Sequence, residues 1–159
     1  MRQFAAHPLP LLASALAGFA VLFAADQAVG LLLRIAAPEF SNVNDQALGL
    51  MIRQNPPLML ICVGFLVPVA EECLFRGLLF VPAYGRNPRA AYALSVLFFA
   101  AVHIVGYIGL YPPATLALCF IQYLPAGLIL CWSLARSNSL AAPILIHCAV
   151  NLTGFLTLR

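Results

Sequence analysis

The sequence predicts an all-α membrane protein, a polytopic bundle of about five transmembrane helices with one short helix at the membrane surface. Hydrophobic residues make up 64% of the 159 residues, and Lys, Arg, Asp and Glu together make up only 8%. A soluble domain carries about a quarter of such charged residues. Apolar stretches near or above the roughly 20 residues that cross a bilayer occur five times. Because backbone polar groups must be paired inside lipid, we expect these stretches to be helices.

The predicted spans are separated by short segments rich in polar residues or proline. The only extended polar segment covers residues 37–55, in which the apolar residues between Leu48 and Ile52 predict a short helix lying on the membrane surface. No internal repeat is visible, so residues 1–159 are expected to form one membrane domain. The predicted spans are residues 11–35, 57–84, 90–109, 114–135 and 140–158.

The few charged residues exclude several classes of protein. The net charge of +3 comes from eight arginines and no lysine, set against five acidic residues. Cations so few and so scattered do not form a nucleic-acid-binding patch. The five cysteines lie in apolar stretches, where a thiol behaves as a small hydrophobe rather than as part of a disulfide framework. The lipid bilayer is therefore the expected partner, and we place the chain as a multi-pass protein of the cell inner (plasma) membrane.

Ionisable and amide side chains inside three of the spans indicate a functional site. Ionisable groups within a bilayer cost about 2–3 kcal/mol each on insertion scales, so their presence by default points to function. Gln122 and Tyr123 in the fourth span are instead interpreted as residues that hydrogen-bond between helices. The site candidates are Glu71, Glu72 and Arg76 in the second span, His103 in the third, and His147 and Asn151 in the fifth.

Depth in the bilayer tests whether these side chains can meet. Glu71 and His103 each lie about 13 residues from the loop at residues 85–89, which is roughly 20 Å along a helix. His147 lies roughly 12 Å from the same side, a difference that helix tilt can close. We therefore expect a carboxylate and two imidazoles to meet at a similar depth.

Spacing along each helix separates the roles of the two glutamates. Neighbouring helix positions point about 100° apart, so Glu71 and Glu72 cannot both face one cleft. Glu72 and Arg76 are four residues apart and predict a structural ion pair, which leaves Glu71 unpaired and suited to act as a general base. His147 and Asn151 share one helix face by the same spacing. Pro68 lacks an N–H, so a kink or notch is expected just before the glutamates.

Three short motifs resemble those of a known family. The segment from Glu71 to Arg76 resembles its EExxxR motif, the segment ending at His103 its FxxxH motif, and the segment from His147 to Asn151 its HxxxN motif. They occur in order on separate predicted spans. Together they resemble the CAAX-processing and bacteriocin-processing (ABI) family of intramembrane endopeptidases, and the resemblance covers residues 57–158.

The resemblance implies the activity and the roles of the residues. It implies hydrolysis of a peptide bond in a membrane-anchored protein or peptide, with Glu71, His103 and His147 activating water and Asn151 stabilising the oxyanion. Glu72 and Arg76 take supporting roles. Small bacterial members of the family act as sorting enzymes on C-terminal tails, so such a tail is the preferred substrate. Family members often have extra spans around this core, so we keep the alternative that a homo-oligomer completes the cleft.

Two alternative functions and one alternative chemistry are kept. A non-proteolytic binding or bacteriocin-immunity protein would differ from the enzyme only in lacking turnover. A transporter is less favoured, because inverted repeats and paired broken helices are not visible. Glu71, His103 and His147 also match the ligand count of a catalytic zinc with one open position. No HExxH helix is present, so a glutamate-type protease without a cofactor is preferred over a metalloprotease.

Overall fold

The computed structural model describes residues 8–158 and forms a bundle of six helices. Five of these helices are long and apolar enough to cross a membrane, as the sequence predicts. The described residues contain no β-strand, and their one isolated bridge joins Ile108 and Tyr111. The helices are α1 (Pro8–Ala36), α2 (Val43–Gln54), α3 (Pro56–Tyr84), α4 (Pro88–Val105), α5 (Pro113–Ser137) and α6 (Ala141–Leu158).

The largest buried apolar cluster joins all five long helices. Large apolar side chains elsewhere on these helices are exposed, as expected where they face lipid. The bundle therefore packs around one centre, and the polar residues of the predicted site lie beside it. The buried members of this cluster are Ala15, Leu22, Phe75, Phe99, Leu130 and Ile146.

Helix α2 confirms the short helix expected in the polar segment, but it is more closely packed than a helix lying on a surface. At 12 residues it spans about 18 Å, too short to cross a bilayer. Val43 and Ile52 are fully buried, and Asn42, which caps the helix by accepting the N–H groups of Asn44 and Asp45, is also buried. The polar segment is thus part of the bundle.

Helix α4 is shorter than the sequence predicts. It ends at Val105, whereas the expected span continued to residue 109. The chain after it turns tightly, with the Tyr107 N–H bonded to the Ile104 carbonyl, and Gly109 adopts a positive φ of 84°. Glycine adopts this left-handed conformation without steric cost, so Gly109 permits the sharp change of direction between α4 and α5. His103 therefore lies in the last turn of α4.

Helix α3 contains two π-helical segments, Cys62–Leu66 and Glu72–Phe80, each ending two residues before a proline. The N–H of Val67 bonds to the Cys62 carbonyl and that of Val81 bonds to the Arg76 carbonyl, five residues back instead of four. Pro68 and Pro82 follow these residues. A proline ring clashes with the carbonyl four residues back and supplies no N–H, and widening the turn is one way for a helix to continue through it. Near Pro68, where the sequence predicted a kink or notch, the helix has a π-helical turn at Cys62–Leu66.

Candidate active site

Helices α3, α4 and α6 bring Glu71, His103 and His147 together. Glu71 Oε2 lies 3.7 Å from His147 Nε2 and 4.0 Å from His103 Nε2. The Glu71 side chain is 19% exposed, and its Oε2 atom has no hydrogen-bond partner among residues 8–158. The three groups thus meet at one point, although His147 lies nearer to the start of its helix than the other two do.

Glu72 and Arg76 form a buried ion pair beside this point. Arg76 Nη1 donates to Glu72 Oε1 at 3.1 Å, and both side chains are 0% exposed. Arg76 Nη2 donates to the Gly127 carbonyl on α5, and its guanidinium lies 4.4 Å from the Phe99 ring centroid on α4. The predicted contact between the two residues is therefore present, and Arg76 also ties α3 to two other helices.

His147 bridges the two glutamates, a contact that the sequence analysis did not include. Its Nδ1 atom lies 2.7 Å from Glu72 Oε1, while its Nε2 atom faces Glu71. Because Glu72 is paired with a guanidinium and acts as an acceptor, His147 Nδ1 is the donor of this bond. The hydrogen bond made by one ring nitrogen decides which nitrogen carries the proton. In a neutral His147, Nε2 is therefore unprotonated and can accept a hydrogen bond.

The same reasoning applies to His103. Its Nδ1 atom lies 2.8 Å from the Phe99 carbonyl oxygen, which can only accept a hydrogen bond. The Nδ1 atom therefore carries the proton, and the Nε2 atom of a neutral His103 is an acceptor aimed at Glu71. Three acceptor atoms consequently converge, one from Glu71 and one from each histidine.

Asn151 hydrogen-bonds to the wide turn in α3. Its Nδ2 atom donates to the Val63 carbonyl at 2.9 Å. That carbonyl lacks a helical partner because the N–H of Val67 bonds to Cys62, and the residue five positions on is Pro68. Asn151 thus satisfies an acceptor that would otherwise be unpaired, and its second amide hydrogen is not used by this bond.

Helices α3 and α6 approach closely at the same turn. A Cβ atom added at Gly64 would lie 2.8 Å from Leu152 Cδ2, which shows that only glycine fits there without movement. Helix α6 also hydrogen-bonds to α3 at Val63, which precedes Glu71 in the chain, and at Glu72, which follows it.

Tyr123 was predicted to hydrogen-bond between helices, and it does so beside the site. Its ring stacks on the His103 imidazole with centroids 4.0 Å apart and planes 23° from parallel. Its hydroxyl accepts a hydrogen bond from Asn44 Nδ2 at 3.1 Å. The stacking on His103 had no signal in the sequence, because it depends on how α5 rotates against α4.

The described residues contain no preformed metal centre. Within residues 8–158, no group of three or more His, Cys, Asp or Glu side chains is arranged to hold a metal ion. Glu71, His103 and His147 would be the ligands if one bound. The Nδ1 atom of His103 donates to a carbonyl and that of His147 to a carboxylate, as the outer nitrogens of metal-bound histidines do.

Comparison with known proteins identifies a protease family. Residues 53–153 match the family model described as type II CAAX prenyl endopeptidase Rce1-like. A curated relative is the UPF0177 protein YxdF of Lactococcus lactis subsp. lactis (strain IL1403), which is 30% identical over 92 residues. The match covers 58% of this chain and 45% of that protein, so the chain spans under half the length of its relative. No solved structure matches.

Proposed function

Because the chain belongs to the Rce1-like family of type II CAAX prenyl endopeptidases, we propose that it is an intramembrane endopeptidase that uses Glu71 as general base. It hydrolyses a peptide bond in a membrane-presented protein. The observation that supports this most directly is the convergence of Glu71 Oε2 and the Nε2 atoms of His103 and His147 within 4.0 Å of the carboxylate.

The convergence suits the binding of one water molecule. Two acceptors about 4 Å apart can both contact one water at ordinary hydrogen-bond lengths of about 2.8 Å. A water has two hydrogens, so it can donate to only two of the three acceptors. The third acceptor is satisfied only if the cluster holds one additional proton, which Glu71 or a histidine then carries.

The reaction then proceeds by transfer of one proton. Glu71 takes a proton from the water while the oxygen bonds to the carbonyl carbon of the peptide, giving a tetrahedral oxyanion. A histidine that bears a proton on Nε2 and the second amide hydrogen of Asn151 donate to this oxyanion. The C–N bond breaks as the leaving nitrogen accepts the proton first taken from water, and the neutral site is restored.

Glu72 and Arg76 support the histidine rather than the substrate. Glu72 fixes the His147 tautomer and stabilises the imidazolium when Nε2 takes up a proton. Arg76 balances the charge of Glu72, and neither side chain is exposed to solvent. Removal of either therefore acts on catalysis through His147.

We propose a C-terminal sorting tail as the substrate class. Glu71 lies 13 residues from the end of α3 at Tyr84, or about 20 Å, within a hydrocarbon core about 30 Å thick. His103 lies in the last turn of α4, so the site is nearer to the membrane surface at which α2 and the α4–α5 connection lie. A bond just inside one membrane surface is a bond that a tail anchor presents.

The experiment compares membranes of cells that lack the chain and receive wild-type protein, Glu71→Gln or Cys73→Ser. Cys73 is an exposed residue of α3 and is the matched control. Mass spectrometry of protein termini should find membrane proteins cut with wild type and Cys73→Ser and intact with Glu71→Gln. Equal termini in all three membranes would contradict an endopeptidase and favour the non-proteolytic binding protein.

Chelation tests the zinc alternative. If the chain's own groups activate the water, strong chelators should leave the purified enzyme active. Inactivation by chelator with recovery on added zinc would instead assign Glu71, His103 and His147 as ligands.

A further inference from the structure

We infer that Tyr123 is a positioning residue for His103 and that the start of α2 holds Tyr123 in place. This inference rests on the proposed function for its effect on rate, although its structural part can be tested without a substrate. It assigns a role in the site to the polar segment at residues 37–55, which none of the three motifs includes.

The His103 ring is restrained on its edge and on its face. The Nδ1–H bond to the Phe99 carbonyl fixes one edge, but a single hydrogen bond within the same helix turn still permits rotation about it. The Tyr123 ring lies 4.0 Å away and nearly parallel, so it blocks movement of the imidazole toward α5. Stacking of aromatic rings is favourable beyond the effect of burial alone. Together these contacts aim Nε2 at Glu71.

The Tyr123 hydroxyl is itself anchored by two asparagines. Asn44 Nδ2 donates to it at 3.1 Å, and the hydroxyl lies 3.4 Å from Asn42 Oδ1, to which it donates. Asn42 Nδ2 donates to Gln122 Oε1 at 2.9 Å on the same helix as Tyr123. Two adjacent residues of α5 are thus bonded to the first residues of α2.

The asparagines cannot easily move away, because each is held by further bonds. Asn42 Oδ1 caps α2 by accepting the N–H groups of Asn44 and Asp45. Asn44 Oδ1 accepts the Tyr107 hydroxyl at 3.3 Å from the turn after α4. The network therefore links the N-terminus of α2, α5 and the turn after α4.

The link gives α2 a way to affect the rate. A displacement of about 1 Å of a reacting group can reduce the rate by about 100-fold. If α2 leaves its site, Tyr123 loses its anchor and His103 loses one of its two restraints. The polar segment is then part of the active site although no atom of it contacts the reacting bond.

The test uses detergent-solubilised protein labelled at histidine, with Tyr123→Leu, Tyr123→Phe and Asn44→Ala. Tyr92→Leu is the matched control, since Tyr92 is also a partly buried tyrosine whose ring packs on Phe80 and Tyr84. The NMR signals of the His103 ring should lose the upfield shift caused by the stacked ring in Tyr123→Leu. Tyr123→Phe should keep this shift, and His147 signals should be unchanged throughout.

Turnover provides the second readout, on a substrate found by the terminus comparison. Tyr123→Leu should lower kcat by 10- to 100-fold with KM unchanged, while Tyr123→Phe and Asn44→Ala lower it less and Tyr92→Leu leaves it as in wild type. Unchanged His103 signals in Tyr123→Leu would overturn the inference, whatever the activity. Altered His103 signals with no cleavage by any protein, wild type included, would contradict the proposed function and leave the structural inference standing.

Discussion

Glu71 and Glu72 are neighbours in the chain, yet their surroundings differ in almost every respect. Glu72 is 0% exposed and bonded to both Arg76 and His147 through one oxygen, Oε1. Glu71 is 19% exposed, and its Oε2 faces two histidine nitrogens at distances too long for hydrogen bonds. A carboxylate that is hydrogen-bonded to its neighbours, such as Glu72, stabilises the fold. A carboxylate that faces two unprotonated nitrogens, such as Glu71, leaves space for a water molecule. Position within one helix turn thus separates a structural role from a chemical one.

Glu71→Gln should give the largest effect on activity. The amide keeps the volume of the side chain and removes the base, so cleavage should fall by at least ~100-fold, as is typical when a general base is lost. The melting temperature in detergent should stay close to that of wild type. The measurement is the cleavage rate per folded molecule. Normal cleavage by Glu71→Gln, with a stable but inactive Glu72→Gln, would reverse the two roles.

Glu72→Gln should give the largest effect on stability. It leaves Arg76 buried without its charge partner, and breaking a buried pair in this way costs roughly 3–5 kcal/mol. Its melting temperature and yield should fall, and activity should fall both with the loss of folded protein and with the loss of the bond that orients His147. Glu39→Gln is the matched control on an exposed glutamate.

A second variant isolates the cause of that loss. Glu72→Gln combined with Arg76→Met leaves no unpaired buried charge, so it should be more stable than Glu72→Gln alone by about 1–3 kcal/mol. A double variant less stable than the single one would mean that the contacts of Arg76 with Gly127 and Phe99 matter more than its charge.

Asn151→Ala tests how much the hydrogen bond from α6 to the Val63 carbonyl stabilises the fold. It leaves the Val63 carbonyl without a donor, which should cost about 1–3 kcal/mol of unfolding free energy. Pro68→Ala restores an N–H and permits a regular α-helical turn, in which Val67 donates to Val63. In the Pro68→Ala background, Asn151→Ala should therefore cost less, measured by melting temperature. Equal costs in both backgrounds would show that Asn151 does not stabilise the wide turn.

Asp45 calibrates the comparison with a half-buried carboxylate that forms no ion pair among residues 8–158. Burial raises the pKa of Asp45 to about 6 from 3.8, so the folded protein binds its proton more tightly than the unfolded chain does. The stability from this group is complete below about pH 4 and is lost as the pH rises to about 6. Asp45→Asn should raise the melting temperature at pH 8 by the equivalent of about 1–3 kcal/mol and change it little at pH 4. An effect that is the same at both pH values would mean the carboxylate is not the cause.

The sequence predicted the contacts within one helix and the meeting of Glu71, His103 and His147, but not which other side chains pair between helices. The five spans follow from composition, and the Glu72–Arg76 pair follows from its four-residue spacing. The bond between Glu72 and His147 joins residues 75 positions apart, and that between Val63 and Asn151 joins residues 88 apart. No local pattern encodes how two helices rotate against each other, so these partners and the stack of Tyr123 on His103 required the structure.

The wide turn at Cys62–Leu66 changes how a position in the sequence translates into a direction around α3. A π turn closes on the fifth residue back, so it holds about one residue more than the α turn it replaces. One residue corresponds to about 100° around an α-helix. A helical wheel drawn from the start of α3 and continued at 3.6 residues per turn is therefore out of phase by about 100° at Glu71, the same angle that separates Glu71 from Glu72. The wide turn before Pro68 thereby contributes to the direction of Glu71, the glutamate that faces the Nε2 atoms of both histidines.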